Sequence, residues 1–229
     1  MLFRSDCSEL KNVIIESGVV SIGKRAFDNC KKLSEVSIPD TVASIGQMAF
    51  YQCEELEKVS LPNGLARIEE GTFKECLKLA NIEIPYSVTK IGSAAFEDCQ
   101  SLKSINIPKS VTEIGSAAFE DCQSLKSINI PKSVTEIGQF AFEGCDSLAT
   151  ITLPGGIATI DNGVFERCSY LKKITIPDSV VTIKPNAFHR CENLINVSLP
   201  GHFKNKSKSL QKAFDDCSIS MEITYRDGQ

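Results

Sequence analysis

The 229 residues contain no tryptophan, three methionines and two histidines. Without indoles the chain lacks the side chain that most often anchors a tight interface. His189 and His202 share no register, and no Cys-x-x-Cys occurs, so the usual ligand spacings of a zinc site are missing. No apolar run approaches the roughly 20 residues of a membrane-spanning helix, and no membrane insertion is expected. Neither sign of charge dominates: 25 Lys and Arg stand against 29 Asp and Glu, a net charge of -4. That balance argues against a general nucleic-acid binder. The opening Met1-Leu2-Phe3-Arg4-Ser5-Asp6 offers no apolar stretch long enough for a signal-peptide core.

What is present is a grid. Cys7, Cys30, Cys53, Cys76, Cys99, Cys122, Cys145, Cys168 and Cys191 each follow the last by 23 residues. A fixed period of this size means stacked copies of one small unit. One thiol per unit at one register position reads as a buried column of small apolar side chains. Free thiols are expected. Neighbouring coils would nevertheless bring these cysteines about 5 Å apart, so a zipper of disulfides is the alternative.

Other columns keep the same period. Phe27, Phe50, Phe73, Phe96, Phe119, Phe142, Phe165 and Phe188 precede the cysteines, with Phe214 a displaced ninth, and leucines from Leu10 to Leu194 follow them. In the unit Pro108–Ile130, Ser127-Ile128-Asn129-Ile130 alternates polar and apolar, the period of a half-buried strand. Proline ends it, because it cannot donate to a ladder. A Pro-Lys-Ser turn, a second short alternation at Val134-Thr135-Glu136-Ile137 and a corner at Gly138 come next. The Ala-Phe-x-x-Cys segment is short enough for a single 3₁₀ turn. The fold class expected is therefore a mainly β repeat solenoid with two short parallel strands per 23-residue coil and little helix. It spans residues 1–229 as one domain, with an irregular start at 1–15, regular repeats over 16–199 and a divergent end at 200–229. Ile91–Glu113 and Ile114–Glu136 are identical, the mark of tandem duplication.

Leu125-x-x-Ile128-x-Ile130-Pro131 resembles the strand signature of leucine-rich repeats. The wider pattern Ile-Pro-x-Ser-Val-Thr-x-Ile-Gly-x-x-Ala-Phe-x-x-Cys-x-x-Leu resembles the BspA-like class of that family, over about Leu10 to Cys217. The resemblance implies a curved solenoid, common in surface proteins of host-associated bacteria and some protozoa and used for adhesion and protein binding. Glu16 departs from the proline position, and Glu69, Asp161 and Lys184 depart from the corner glycine. Those departures put local turn geometry in question.

No nucleophile, base and orienting group can be assembled, and neither a catalytic site nor a cofactor or metal is expected. Gly18-Val-Val-Ser-Ile-Gly23-Lys24-Arg25 nearly spells a phosphate-binding loop, but Arg25 stands where the hydroxyl should be. The acidic pairs Glu97-Asp98, Glu120-Asp121 and Asp215-Asp216 read as a solvated corner. The basic run His202–Lys212 reads as a solvated loop, and Ser218–Tyr225 as a closing strand. The outward strand positions form the candidate interaction face: Glu35, Ser37, Lys58, Ser60, Asn81, Glu83, Ser104, Asn106, Ser127, Asn129, Thr150, Thr152, Lys173, Thr175, Asn196 and Ser198. This polar face suits weak contacts repeated along the array, with a protein or glycan partner, made by a monomer. Cys7 already lies on the grid, so the chain enters in mid-repeat; this favours a piece of a longer, surface-displayed chain, with a cytoplasmic scaffold or a spacer as alternatives.

Overall fold

A computed structural model describes residues 6–226, so the opening residues read for an export signal lie outside it. The chain winds coil upon coil, and each coil contributes three walls. The first wall is a parallel ladder of three-residue strands, from Asn12–Ile14, Glu35–Ser37 and Lys58–Ser60 through Ser104–Asn106, Ser127–Asn129, Thr150–Thr152 and Lys173–Thr175. The second wall stacks two-residue strands, from Ser21–Ile22 to Thr182–Ile183. Register is in phase with the sequence period: Ile128 lies between Ile105 and Ile151, and Ile114 between Ile91 and Ile137. A one-residue slip would turn every isoleucine outward, so burial fixes the pairing.

The third wall differs from the single 3₁₀ turn read from the sequence. It is a run of turns in which alternate amides do two jobs. Ala26, Asp28 and Cys30 donate three residues back, while Arg25, Phe27 and Asn29 donate to Gln47, Ala49 and Tyr51 of the next coil. The alternation requires left-handed backbone five residues and one residue before each cysteine from Cys30 to Cys191. Arg25 (φ 56°), Asn29 (60°), Ala94 (54°), Asp98 (58°) and Phe140 (59°) all adopt it. Non-glycine residues there cost on the order of 1 kcal/mol each, and the bonds between coils hold them in place.

Inside, the phenylalanines from Phe27 to Phe214 stack with ring centroids 4.8–5.6 Å apart and planes within 18°. Each buried thiol from Cys53 onward donates to the carbonyl of the preceding coil's phenylalanine, as Cys53 Sγ to Phe27 O and Cys122 Sγ to Phe96 O, both at 3.2 Å. This contact gives cysteine a reason to occupy the column beyond its size. Cys30 through Cys191 are free thiols, not a disulfide zipper. Burial pushes the Cys30 thiol up to about 11 and the interior thiols higher, which keeps them un-ionised. Cys7, at the end of the column, is exposed.

Gly138 does not make a left-handed corner. The corner glycines are small because the preceding coil's backbone passes against them: a Cβ on Gly46, Gly115 or Gly138 would lie 2.4–2.5 Å from an amide nitrogen. The ladders are also discontinuous. The second ladder is unpaired between Ser44–Ile45 and Arg67–Ile68, and again between Glu136–Ile137 and Thr159–Ile160. Both sites carry the same two departures. An acid, Glu69 or Asp161, replaces the corner glycine, and Gly64 or Gly156 replaces a turn hydroxyl. Where that hydroxyl is present it clasps the coil below: Thr41 to Val19 O (2.9 Å), Ser87 to Leu65 O (2.7 Å), Ser110 to Val88 O (2.6 Å), Ser133 to Val111 O (2.7 Å) and Ser179 to Ile157 O (2.7 Å). At each of those boundaries the second ladder pairs. One coil further on the first ladder opens instead. Asn81–Glu83 keeps only the bridge Glu83–Asn106 and is no strand, and Thr150–Thr152 is unpaired with Lys173–Thr175.

The end of the array closes differently from the solvated loop expected of the basic run. Gly201–Phe203 forms a 3₁₀ turn and Ser207–Ala213 a helix, burying Phe203, Leu210 and Ala213 over the last coil. His202 takes the place of the turn hydroxyl, its Nε2–H donating to Val180 O at 2.9 Å. Glu222–Arg226 pairs with Asn196–Pro200 as the closing strand.

Candidate functional site

The strand face is built by alternation. In each three-residue strand the middle residue enters the core and the two flanking residues point away. Of the sixteen candidates, Ser198 is half-buried beside Thr224 of the closing strand, and the other fifteen are exposed. The face is not flat throughout. A hollow of about 810 Å³ is lined by Lys58, Ser60, Asn81 and Glu83 together with Glu35, Tyr86 and Lys103. Residues from several successive coils share it, so the surface is concave there. A second hollow, about 600 Å³, takes in Thr150, Thr152, Lys173 and Thr175. Both lie where the first ladder is unpaired, and both thin the cover over the core: Val59, Leu61 and Ile151 are only partly buried, unlike Val36 and Ile128 at equivalent places. Ser37, Ser104, Ser127 and Asn196 lie on the same face outside these hollows.

A third hollow of about 820 Å³ runs beside the strand ends, where Asn106, Asn129 and Thr152 meet Pro108, Pro131 and the turn residues Tyr86, Lys109 and Lys132. Sequence reasoning passed over those turn residues. The signal was the register itself: directly after the fixed prolines, this one position reads Asp40, Asn63, Tyr86, Lys109, Lys132, Gly155, Asp178. Tyr86 is 81% exposed, a large ring with no core to fill.

The acidic corner is less solvated than the sequence suggested. Glu97, Glu120 and Glu143 succeed one another on the third wall and are half-buried. Burial, with Glu97, Glu143 and Asp121 alongside, raises the Glu120 carboxyl to about 7, against an opposing pull from Lys74. Lys74 meets Glu97 at 2.7 Å, and Arg167 stands 3.9 Å from Asp121 and 3.8 Å from Glu143. Among the described residues no group of three or more His, Cys, Asp or Glu is placed to hold a metal ion. At the loop resembling a phosphate cradle, Arg25 is engaged with Asp28 at 3.2 Å.

Coils of this length, with a leucine and phenylalanine core and an outward polar ladder, define a leucine-rich-repeat solenoid. The chain belongs to the BspA type leucine rich repeat region family, whose pattern matches residues 2–126 and 112–227 with six copies. A leucine-rich repeat protein of Treponema pallidum is similar at 30% identity, covering 89% of this chain and 81% of its own, with a TM-score of 0.54. A leucine-rich repeat protein of Eubacterium ventriosum is 21% identical over 93% of this chain and 66% of its own, with a TM-score of 0.55. The pneumococcal vaccine antigen PcpA is 21% identical over 92% of this chain and 61% of its own, with a TM-score of 0.56. A comparison with curated proteins gives no match. No helix among the described residues is long and apolar enough to cross a membrane.

Proposed function

We propose that the chain is a non-enzymatic interaction module, one domain of a surface-displayed, adhesin-like protein, that acts as a monomer and binds a protein or glycan through the strand face. The observation that carries this reading is the exposure of that face along the array, with hollows opening among Lys58, Asn81, Glu83 and Lys173. A ligand lying across several coils meets the same polar positions repeatedly, and modest contacts add up by multivalency. Surface placement is supported by the family pattern. The test is capture of host-surface proteins or glycans by the intact chain and by a Lys58→Ala, Glu83→Ala, Lys173→Ala variant. Loss of capture supports the reading, and unchanged capture removes this face as the site.

The identical modules favour a second reading, a spacer whose length is adjusted by duplication. Deleting Ile114–Glu136 separates the two: a spacer keeps ligand capture, and a binding surface loses it.

A further inference from the structure

At six places a lysine is answered by a carboxylate one coil away. Lys32 meets Glu9 at 2.6 Å, Lys31 meets Glu54 at 2.7 Å, Lys90 meets Glu113 at 2.6 Å and Lys184 meets Asp161 at 2.8 Å. The two identical modules depart from this pattern on the strand side. Duplication has set Lys126 next to Lys103 and Lys132 next to Lys109, in adjacent coils. The flanking coils bring no acid to either register: Ala80 and Ala149 border one pair, Tyr86 and Gly155 the other. All four lysines are exposed, and none forms an ion pair among the described residues. Strands in neighbouring coils lie about 5 Å apart, so each pair sets like charges in adjacent coils with no ion-pair partner among the described residues.

Between the two pairs lie Ser104, Asn106, Ser127 and Asn129, all exposed and neutral. Asn106, Asn129, Lys109 and Lys132 line the third hollow, and Lys103 lines the first. The modules' acids lie elsewhere: Glu97, Asp98, Glu120 and Asp121 on the third wall, and Glu113 and Glu136 on the second ladder. Glu83 of the preceding coil borders the patch. The chain as a whole is net negative, so attraction for an anion comes from local basic patches such as this one.

We propose that this face binds an anionic polysaccharide, its acidic groups meeting Lys103, Lys109, Lys126 and Lys132 and its hydroxyls meeting Asn106, Asn129 and the serines between them. The inference rests on the strand-face reading and supplies its ligand class. An acidic peptide fits less well. Ser127–Asn129 is already paired on both sides, so no strand edge is open to it, and the neutral stretch between the lysines offers amides and hydroxyls without an apolar anchor.

Dextran sulfate is the probe, titrated against the intact chain, with uncharged dextran and polyglutamate as comparators. Dextran sulfate is expected to bind, more weakly as salt rises, and uncharged dextran is not. Replacing all four lysines by serine is expected to lower affinity roughly tenfold or more, as the sum of four exposed ion pairs. Four arginines keep the binding. A control lacking Lys11, Lys24, Lys172 and Lys208 stays within about twofold. The serine variant is expected to unfold no earlier than the parent, because the charges it loses repel each other. Unchanged binding by the serine variant, equal loss in the control, or polyglutamate binding as tightly as dextran sulfate would each overturn the proposal. If that happens while the Lys58, Glu83, Lys173 variant still loses partner capture, the strand-face reading stands and only the ligand class falls.

Discussion

The boundary between Ile91–Glu113 and Ile114–Glu136 and the boundary ahead of Arg67–Ile68 join coils of the same length and core, yet only the first is closed on both ladders. At the closed boundary Gly138 lets backbone pass against backbone, and Ser133 clasps Val111 O at 2.7 Å in the coil below. At the open one, Glu69 and Gly64 supply neither. The boundary ahead of Thr159–Ile160, with Asp161 and Gly156, repeats the open case. The boundary at Lys184 lies between them. It has no glycine, but Ser179 holds Ile157 O at 2.7 Å, Lys184 meets Asp161 at 2.8 Å, and the ladder pairs. Strand pairing in so short a ladder is therefore not a property of the strands alone. It depends on a bare corner or a hydroxyl clasp beside them.

That contrast can be broken hardest from within the core. Phe119→Ala, in the middle of the closed region, is expected to cost about 3–5 kcal/mol in urea unfolding, and Val59→Ala, half-uncovered at an opened boundary, only about 1 kcal/mol. Converting a closed boundary to an open one comes next. Gly115→Glu must push the backbone at Ser93 away and is expected to cost about 1–3 kcal/mol, with faster amide exchange at Gly115.

The acidic wall gives a smaller effect with a defined sign. Glu120 holds its proton up to about pH 7 when folded and only to the ordinary carboxylate range when unfolded. Folding therefore takes up a proton between those values, and stability falls as pH rises through about 4.5 to 7. Glu120→Gln is expected to raise stability at pH 8 by about 1 kcal/mol, less than the full shift implies because solvent screens a half-buried group. It should also flatten thermal stability over that pH range. The smallest change sharpens the contrast by closing the open boundaries. Gly64→Ser and Gly156→Ser, in ordinary backbone with room for a Cβ, are each expected to add about 0.5–1 kcal/mol and to slow exchange at Ala66 and Ala158.

The columns were legible because each buried position repeats one residue type, and burial leaves little choice at Phe119, Leu125 or Cys122. The third wall was not. Its left-handed positions are filled by Arg25, Met48, Ala94 and Phe140, residues with no preference for that backbone; the bonds to the adjacent coil impose it. Glu69 and Asp161 did mark the open boundaries, but Lys184 carried the same mark and pairs normally, because its partner one coil away cannot be weighed from a single register. Exposure of the strand residues followed from alternation. The hollows did not, since they depend on how far neighbouring coils part, and Lys109 and Lys132 acquire meaning only when the turns are seen beside the strands.

The thiol column gives the molecule an internal counter. From Cys30 to Cys191 each turn holds one buried sulfhydryl, so beyond the exposed Cys7 and the half-buried Cys217 an alkylating reagent adds mass only where a turn has come undone. The mass spectrum of a partly denatured sample would then read how many turns have opened, and digestion of the labelled chain would show whether the solenoid unravels from its ends or parts first at Gly64 and Gly156.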